Sequence, residues 1–244
     1  MTTPLPASVR LAWWGTSWLR GHVVADLVVD AVIDSDATHA VVGMPGADTT
    51  ETLVVALGRL RAAGATGIGA ALPVEGDPAG LGGPAAFNAE ALTAGEAVVV
   101  ADAGLGLVPH RTGAAVAWTV HPAARRQLTD VGEADRRLRS TLLETAQALA
   151  DLDIARWRPE VADRLMNLRH LDLPGAPPGV PTRCVDLAAR GLQAIGIAEL
   201  ALEDDGGAAT SYDVRERRAA LVPLERAGRH ALVAAGSPEV WPPA

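Results

Sequence analysis

The chain has 244 residues, 49% of them hydrophobic and 20% charged, and its 21 basic and 29 acidic side chains give a formal net charge of −8. Every basic side chain is arginine; the sequence contains no lysine. Without a lysine side chain the protein cannot form the lysine Schiff base of a pyridoxal phosphate enzyme or supply the phosphate-binding lysine of a P-loop. Its single cysteine, Cys184, excludes an intramolecular disulfide, a four-cysteine zinc site and a cysteine-ligated iron–sulfur cluster.

Charge is distributed unevenly. Residues 1–122 hold 5 Arg and 11 Asp/Glu, whereas residues 123–244 hold 16 Arg and 18 Asp/Glu. The C-terminal arginines alternate with acids, as in Glu133-Ala-Asp-Arg-Arg137 and Asp213-Val-Arg-Glu-Arg217. That pattern describes solvated helix faces with i,i+4 pairs rather than the net basic stripe of a nucleic-acid binder. The first residues, Met1-Thr-Thr-Pro-Leu-Pro6, carry no basic segment leading into an apolar run. No stretch approaches roughly 18 uninterrupted apolar residues. A cytoplasmic protein without a membrane partner is the expectation.

In chain order, Leu11, Trp14 and Trp18 recur at helical spacing, and Gly21 closes that helix. Val23 to Ile33 forms a second helix, with Asp26, Asp30 and Asp34 on its wet side. Thr38 to Gly43 reads as a strand, followed by the turn Met44 to Asp48. Asp48 and Glu51 form a capping-box pattern that predicts a helix from Thr49 to Ala63, ended by Gly64. Gly67 to Val74 is the next strand. Strand, helix and strand in this spacing predict a βαβ unit with a parallel pair. The loop Glu75 to Pro84 leads into a helix over Ala85–Leu92. Strands follow over Ala97–Val100, Gly106–Val108 and Ala114–His121, the last two joined by an antiparallel turn at His110–Gly113.

Beyond Pro122 the pattern turns helical. Leu138, Leu142, Thr145, Leu149 and Leu152 form a heptad-like seam on a helix from Glu133 to Ile154. A second helix starts at Arg158-Pro159-Glu160, a Pro/Gly connector runs from Leu173 to Pro181, and further helices cover Cys184–Leu202 and Tyr212–Ala235, the last interrupted by Pro223. The fold class is therefore α+β, or α/β with a helical extension: a small mixed sheet with a βαβ unit in residues 1–122, and a helical bundle in 123–244 packed against it as one unit.

Ligands in open α/β sheets bind beyond the carboxyl ends of parallel strands. This rule selects the loops 43–48 and 73–83, with Gly46 and Asp48 in the first and Glu75, Asp77 and Gly82 in the second. His110, Arg111 and His121 lie at the ends of the predicted hairpin. With Glu75 or Asp77 they would compose an acid/base cluster, Arg111 meeting a small anionic ligand. No histidine pair has metal-ligand spacing, so no metal site is assigned and no cofactor is named. Cys184 at a helix start reads as a buried, inert thiol. Trp13, Trp14 and Trp18 read as core anchors with one ring turned outward, and Trp241 as a ring tucked onto the body or a partner.

Two functional readings follow. The first is a non-catalytic binding or scaffolding protein that self-associates through its C-terminal helices, resting on the leucine seam and the missing catalytic signatures. The alternative is a small-molecule-binding protein or hydrolase-type enzyme with its site at the 73–83 loop and the 110–121 hairpin.

Overall fold

A computed structural model describes residues 5–151, 173, 175–203 and 211–243. Six strands, β1 (Thr38–Val42), β2 (Glu51–Thr52), β3 (Gly69–Ala71), β4 (Ala97–Val100), β5 (Leu105–Thr112) and β6 (Ala115–Pro122), form one mixed sheet in the order β2-β1-β6-β5-β4-β3. The described helices are α1 (Ala7–Leu19), α2 (Ala25–Ile33), α3 (Leu53–Ala62), α4 (Ala85–Ala94), α5 (Val131–Asp151), α6 (Thr182–Glu203) and α7 (Ser211–Ala235). The fold is α+β. The helix predicted from Arg158 lies outside the described residues.

The sheet is covered on both faces, which is why β4 reads Ala-Val-Val-Val without alternation. Val98 and Val100 join the main core with Leu107, Val116 and Trp118. Ala97, Val99 and Val108 face the other way, onto Phe87 of α4. Gly106 is required there: a Cβ on it would stand 2.5 Å from the Phe87 ring. The main core is continuous from α1 to α7, and its largest buried side chains are Trp13 and Trp118. Trp14 and Trp18 are only half-buried.

The predicted βαβ unit is not formed. β1 pairs in parallel with β6, and β6, β5, β4 and β3 then alternate in direction. β3 therefore runs antiparallel to β1, with three strands between them. The long hairpin β5–β6 is responsible: its eight-residue ladder takes the position beside β1 that a crossover strand would need. The loops after β1 and β3 consequently lie at opposite ends of the sheet, not around one crevice.

The capping box at Asp48 also gives way. α3 starts at Leu53, capped by Thr52, whose Oγ1 accepts from the Val55 N–H. Glu51 is drawn instead into β2 opposite Val41 and into an ion pair with Arg59 at 2.6 Å. The same Asp-x-x-Glu pattern does open a helix at Asp130, which accepts the N–H groups of Gly132 and Glu133 at 2.8 and 3.0 Å and precedes α5.

The described part of the leucine seam is directed inward. Leu138 is fully buried, and Thr145 Oγ1 donates to the Ala220 carbonyl of α7. α7 runs unbroken through Pro223 and crosses α6 at a glycine pair, where a Cβ on Gly228 would meet the Gly191 carbonyl at 2.8 Å and the converse contact would be 2.9 Å. The edge at β3 is closed by the end of α7: Ala70 N–H donates to the Gly236 carbonyl at 2.9 Å.

Candidate functional site

The residues Val74-Glu-Gly-Asp77 make a tight two-residue turn, with Val74 and Asp77 exchanging both backbone hydrogen bonds. Gly76 supplies the left-handed conformation at φ +77°. Glu75 sits exposed at the tip, whereas Asp77 is turned inward and buried. Its carboxylate meets α7: His230 Nε2 lies 2.9 Å from Oδ1, and Arg226 Nε and Arg229 Nη2 each lie 3.4 Å from Oδ2. Arg229 also pairs with Glu225. Burial works to raise the Asp77 pKa, but the His230 hydrogen bond and the charges of His230, Arg226 and Arg229 outweigh it and hold the carboxyl below its usual range.

Sequence reasoning selected Asp77 but missed its partners. A signal was available, since Arg226, Arg229 and His230 recur at i, i+3, i+4 and must share one face of a helix. Nothing in that spacing said which carboxylate would meet it.

The hairpin residues go elsewhere. His110 is half-exposed with Nε2 3.8 Å from Glu90, and Arg111 bonds Asp36 through both Nη atoms at 2.7 and 3.4 Å. Both line a cleft of about 330 Å³ with Ala7, Thr93, Glu96 and Val116; neither Glu75 nor Asp77 lines it. His121 is half-buried, its ring 6.2 Å from Phe87. In the first loop Asp48 and Gly46 are exposed. Gly82 lies flush against the segment at Arg125, where a Cβ would stand 2.7 Å from the carbonyl oxygen.

Asp36 is the centre of a second network. Its Oδ2 accepts from His39 Nε2 at 3.0 Å, and Trp118 Nε1–H donates to His39 Nδ1 at 3.1 Å. An indole can only donate, so His39 Nδ1 must be an acceptor and the proton sits on Nε2. The ring is therefore neutral. Burial is the main force lowering the His39 pKa, partly opposed by Asp36 and helped by Arg10 and Arg111.

A third polar centre is Arg126, buried between the two halves. Nη1 donates to the Ala70 and Gly80 carbonyls at 2.7 and 2.9 Å, and Nη2 to Ser237 Oγ and Glu239 at 3.0 Å each. The guanidinium ties β3, the 77–83 loop and the C-terminal tail together. Cys184 is fully buried, and burial pushes its thiol up to about 11. Among the described residues no group of three His, Cys, Asp or Glu is placed to hold a metal ion, and no helix is long and apolar enough to cross a membrane.

Two adjoining family models match the chain: the N-terminal domain of Rv1486c-like proteins over residues 8–134 and their C-terminal domain over residues 132–233. The chain belongs to the Rv1486c-like proteins. The junction of the two models falls at the start of α5. Among its relatives is the uncharacterized protein Rv1486c of Mycobacterium tuberculosis, 28% identical over 285 aligned positions that cover 96% of this chain and 98% of that protein. Another is the uncharacterized protein MAV321 of Mycobacterium avium, 29% identical over 228 positions covering 73% and 74% of the two chains. No solved structure matches.

Proposed function

We propose that this Rv1486c-like protein acts by binding rather than by bond chemistry. The observation that carries the reading is Asp77, the most buried of the carboxylates selected from sequence. It is surrounded by His230, Arg226 and Arg229 and held ionised. A general acid or base must reach a substrate proton with a free lone pair and a pKa near the working pH. A carboxylate with a lowered pKa, engaged by two arginines and a histidine, meets neither requirement. His39 is likewise spent between Trp118 and Asp36, and the one thiol is buried.

The test is a thermal-shift screen against divalent metals, nucleotides, phosphates and carboxylates, in which a ligand at about 100 times its Kd adds roughly 2.7 kcal/mol. Each stabilising compound is then incubated with the protein and followed by proton NMR. The expected result is a bound compound that stays chemically intact. Consumption of a compound that Asp77→Asn abolishes, with the fold retained, overturns the reading.

A second reading is favoured by the cleft at His110 and Arg111. Its volume of about 330 Å³ is at the small end for ligand sites, and it combines an imidazole, a guanidinium and the Glu96 carboxylate. Loss of a ligand's thermal shift in His110→Ala, but not in Asp77→Asn, identifies that cleft as the site.

A further inference from the structure

A cleft of about 470 Å³ opens where the end of α1, the 179–181 connector and the C-terminal tail meet. Its walls are apolar: Val180, Pro181, Pro238, Pro242 and the ring of Trp241. Proline has no N–H to offer a ligand. The Trp241 indole N–H is already donated to the Ala235 carbonyl at 2.9 Å. Among the described residues Arg20 is the one charged side chain lining the cleft; its guanidinium stands over the Trp241 ring, 5.4 Å from the centroid. Among the described residues no carboxylate lines the cleft and none pairs with Arg20.

The walls are held in place before any ligand arrives. Ser17 Oγ donates to the Pro178 carbonyl at 2.7 Å, fixing the connector on α1. Gly179, at φ +89°, lies so close to His22 that a Cβ would stand 2.6 Å from its ring. The tail is pinned by Trp241 and by the Glu239 pair with Arg126.

We infer that this cleft binds a small apolar monocarboxylate, aromatic or aliphatic, with its carboxylate on Arg20 and its body against the proline and tryptophan walls. One planar guanidinium matches one carboxylate through paired N–H···O bonds. A phosphate dianion would ask for more donors than these walls contain, and a neutral ligand would leave the guanidinium unused. The site stands apart from the Asp77 and His110 centres and holds whether or not the protein also turns over a substrate.

The experiment is fluorine NMR of 4-fluorobenzoate titrated with the full chain, with 4-fluorobenzamide as the neutral isostere and cyclohexanecarboxylate as an aliphatic competitor. Saturable binding of the benzoate is expected, with affinity roughly tenfold weaker in Arg20→Gln, as loss of a charge-assisted pair implies. Arg136→Gln, an exposed change on α5 outside the cleft, should leave binding unchanged. Displacement by cyclohexanecarboxylate extends the class to aliphatic acids, and its failure restricts it to aromatic ones. The inference is overturned by an absence of saturable binding at about millimolar benzoate, by equal affinity in Arg20→Gln, by equal binding of the amide, or by equal weakening in Arg136→Gln.

Discussion

Trp13 and Trp241 donate their indole N–H groups to the same acceptor, the carbonyl of Ala235, each at 2.9 Å. Ala235 is the last residue of α7, where carbonyls have no partner further along the helix. One ring comes from the first helix and the other from the tail, so the two ends of the chain are joined through a single oxygen. Replacing either ring tests how much of the fold depends on that junction. Trp241→Phe should cost about 1 kcal/mol, the net worth of one hydrogen bond, because the oxygen keeps Trp13. Trp13→Phe should cost about 2–4 kcal/mol, since Trp13 is 1% exposed and the smaller ring leaves a cavity as well. Urea midpoints of the two variants should separate in that order.

Asp77 joins the 74–77 turn to α7 through a buried ionic cluster. Asp77→Asn removes one of the two carboxylates paired with the buried Arg229, leaving Glu225, and should lower stability by about 2–4 kcal/mol. The pH dependence has a definite sign. The folded pKa is below the usual 3.8, so the unfolded chain takes up its proton first as pH falls. The stabilisation is complete above 3.8 and is lost as the pH drops through the folded value. Thermal unfolding between pH 5 and 2 should therefore show a shallower acid limb in Asp77→Asn than in the wild type.

His39 should remain neutral below its ordinary pKa of 6.5, because protonating Nδ1 would turn two donors, ring and indole, against each other. Long-range proton–nitrogen NMR should show the Nε2–H tautomer at pH 6. The unfolded imidazole protonates near 6.5 while the folded one does not, so this residue withdraws stability as pH falls below that point. Trp118→Phe removes the indole donor and should let the His39 pKa rise.

Cys184 should be chemically silent in the folded protein. Raising the thiol from 9.0 to about 11 lowers the thiolate population near neutral pH by about a hundredfold, and burial adds a barrier of access. Reaction with a disulfide reagent at pH 8 should be at least that much slower in the native protein than in guanidinium. Rapid labelling of the native chain contradicts this assignment.

The α6–α7 crossing depends on two missing side chains. Gly228→Ala places a methyl against the Gly191 backbone and Ile195 at 2.8 Å, so the helices must separate. A loss of about 1–3 kcal/mol follows from overpacking, although alanine is the better helix former. Calorimetry of Gly228→Ala and the exposed control Gly58→Ala, whose Cβ would meet nothing within 4 Å, should give opposite signs.

Much of the local structure was legible. The helix end at Gly21 and the antiparallel return between the last two strands followed from turn chemistry and periodicity, because these depend on neighbours in the chain; the turn itself lies at Gly113-Ala114, and His110–Thr112, read as part of it, extend β5 instead. The start of α3 does not follow the capping pattern at Asp48: a capping box is a local pattern, and the pairing of Glu51 with Val41 and Arg59 overrides it. Asp77 was selected for lying in a glycine-rich loop, a reason unrelated to the partners it has.

Composition by itself determined what chemistry is closed to this chain, since no fold can supply a lysine amine or a second thiol that the sequence lacks. It also determined most helices and strands, whose periods are set within a few residues. Only the tertiary structure decided that β6 rather than β3 lies beside β1, that Asp77 meets α7, and that a lone arginine stands above Trp241. Those outcomes depend on groups up to hundreds of residues apart, and pairing at such distance is chosen by the packing of the whole core rather than by any pattern within one segment.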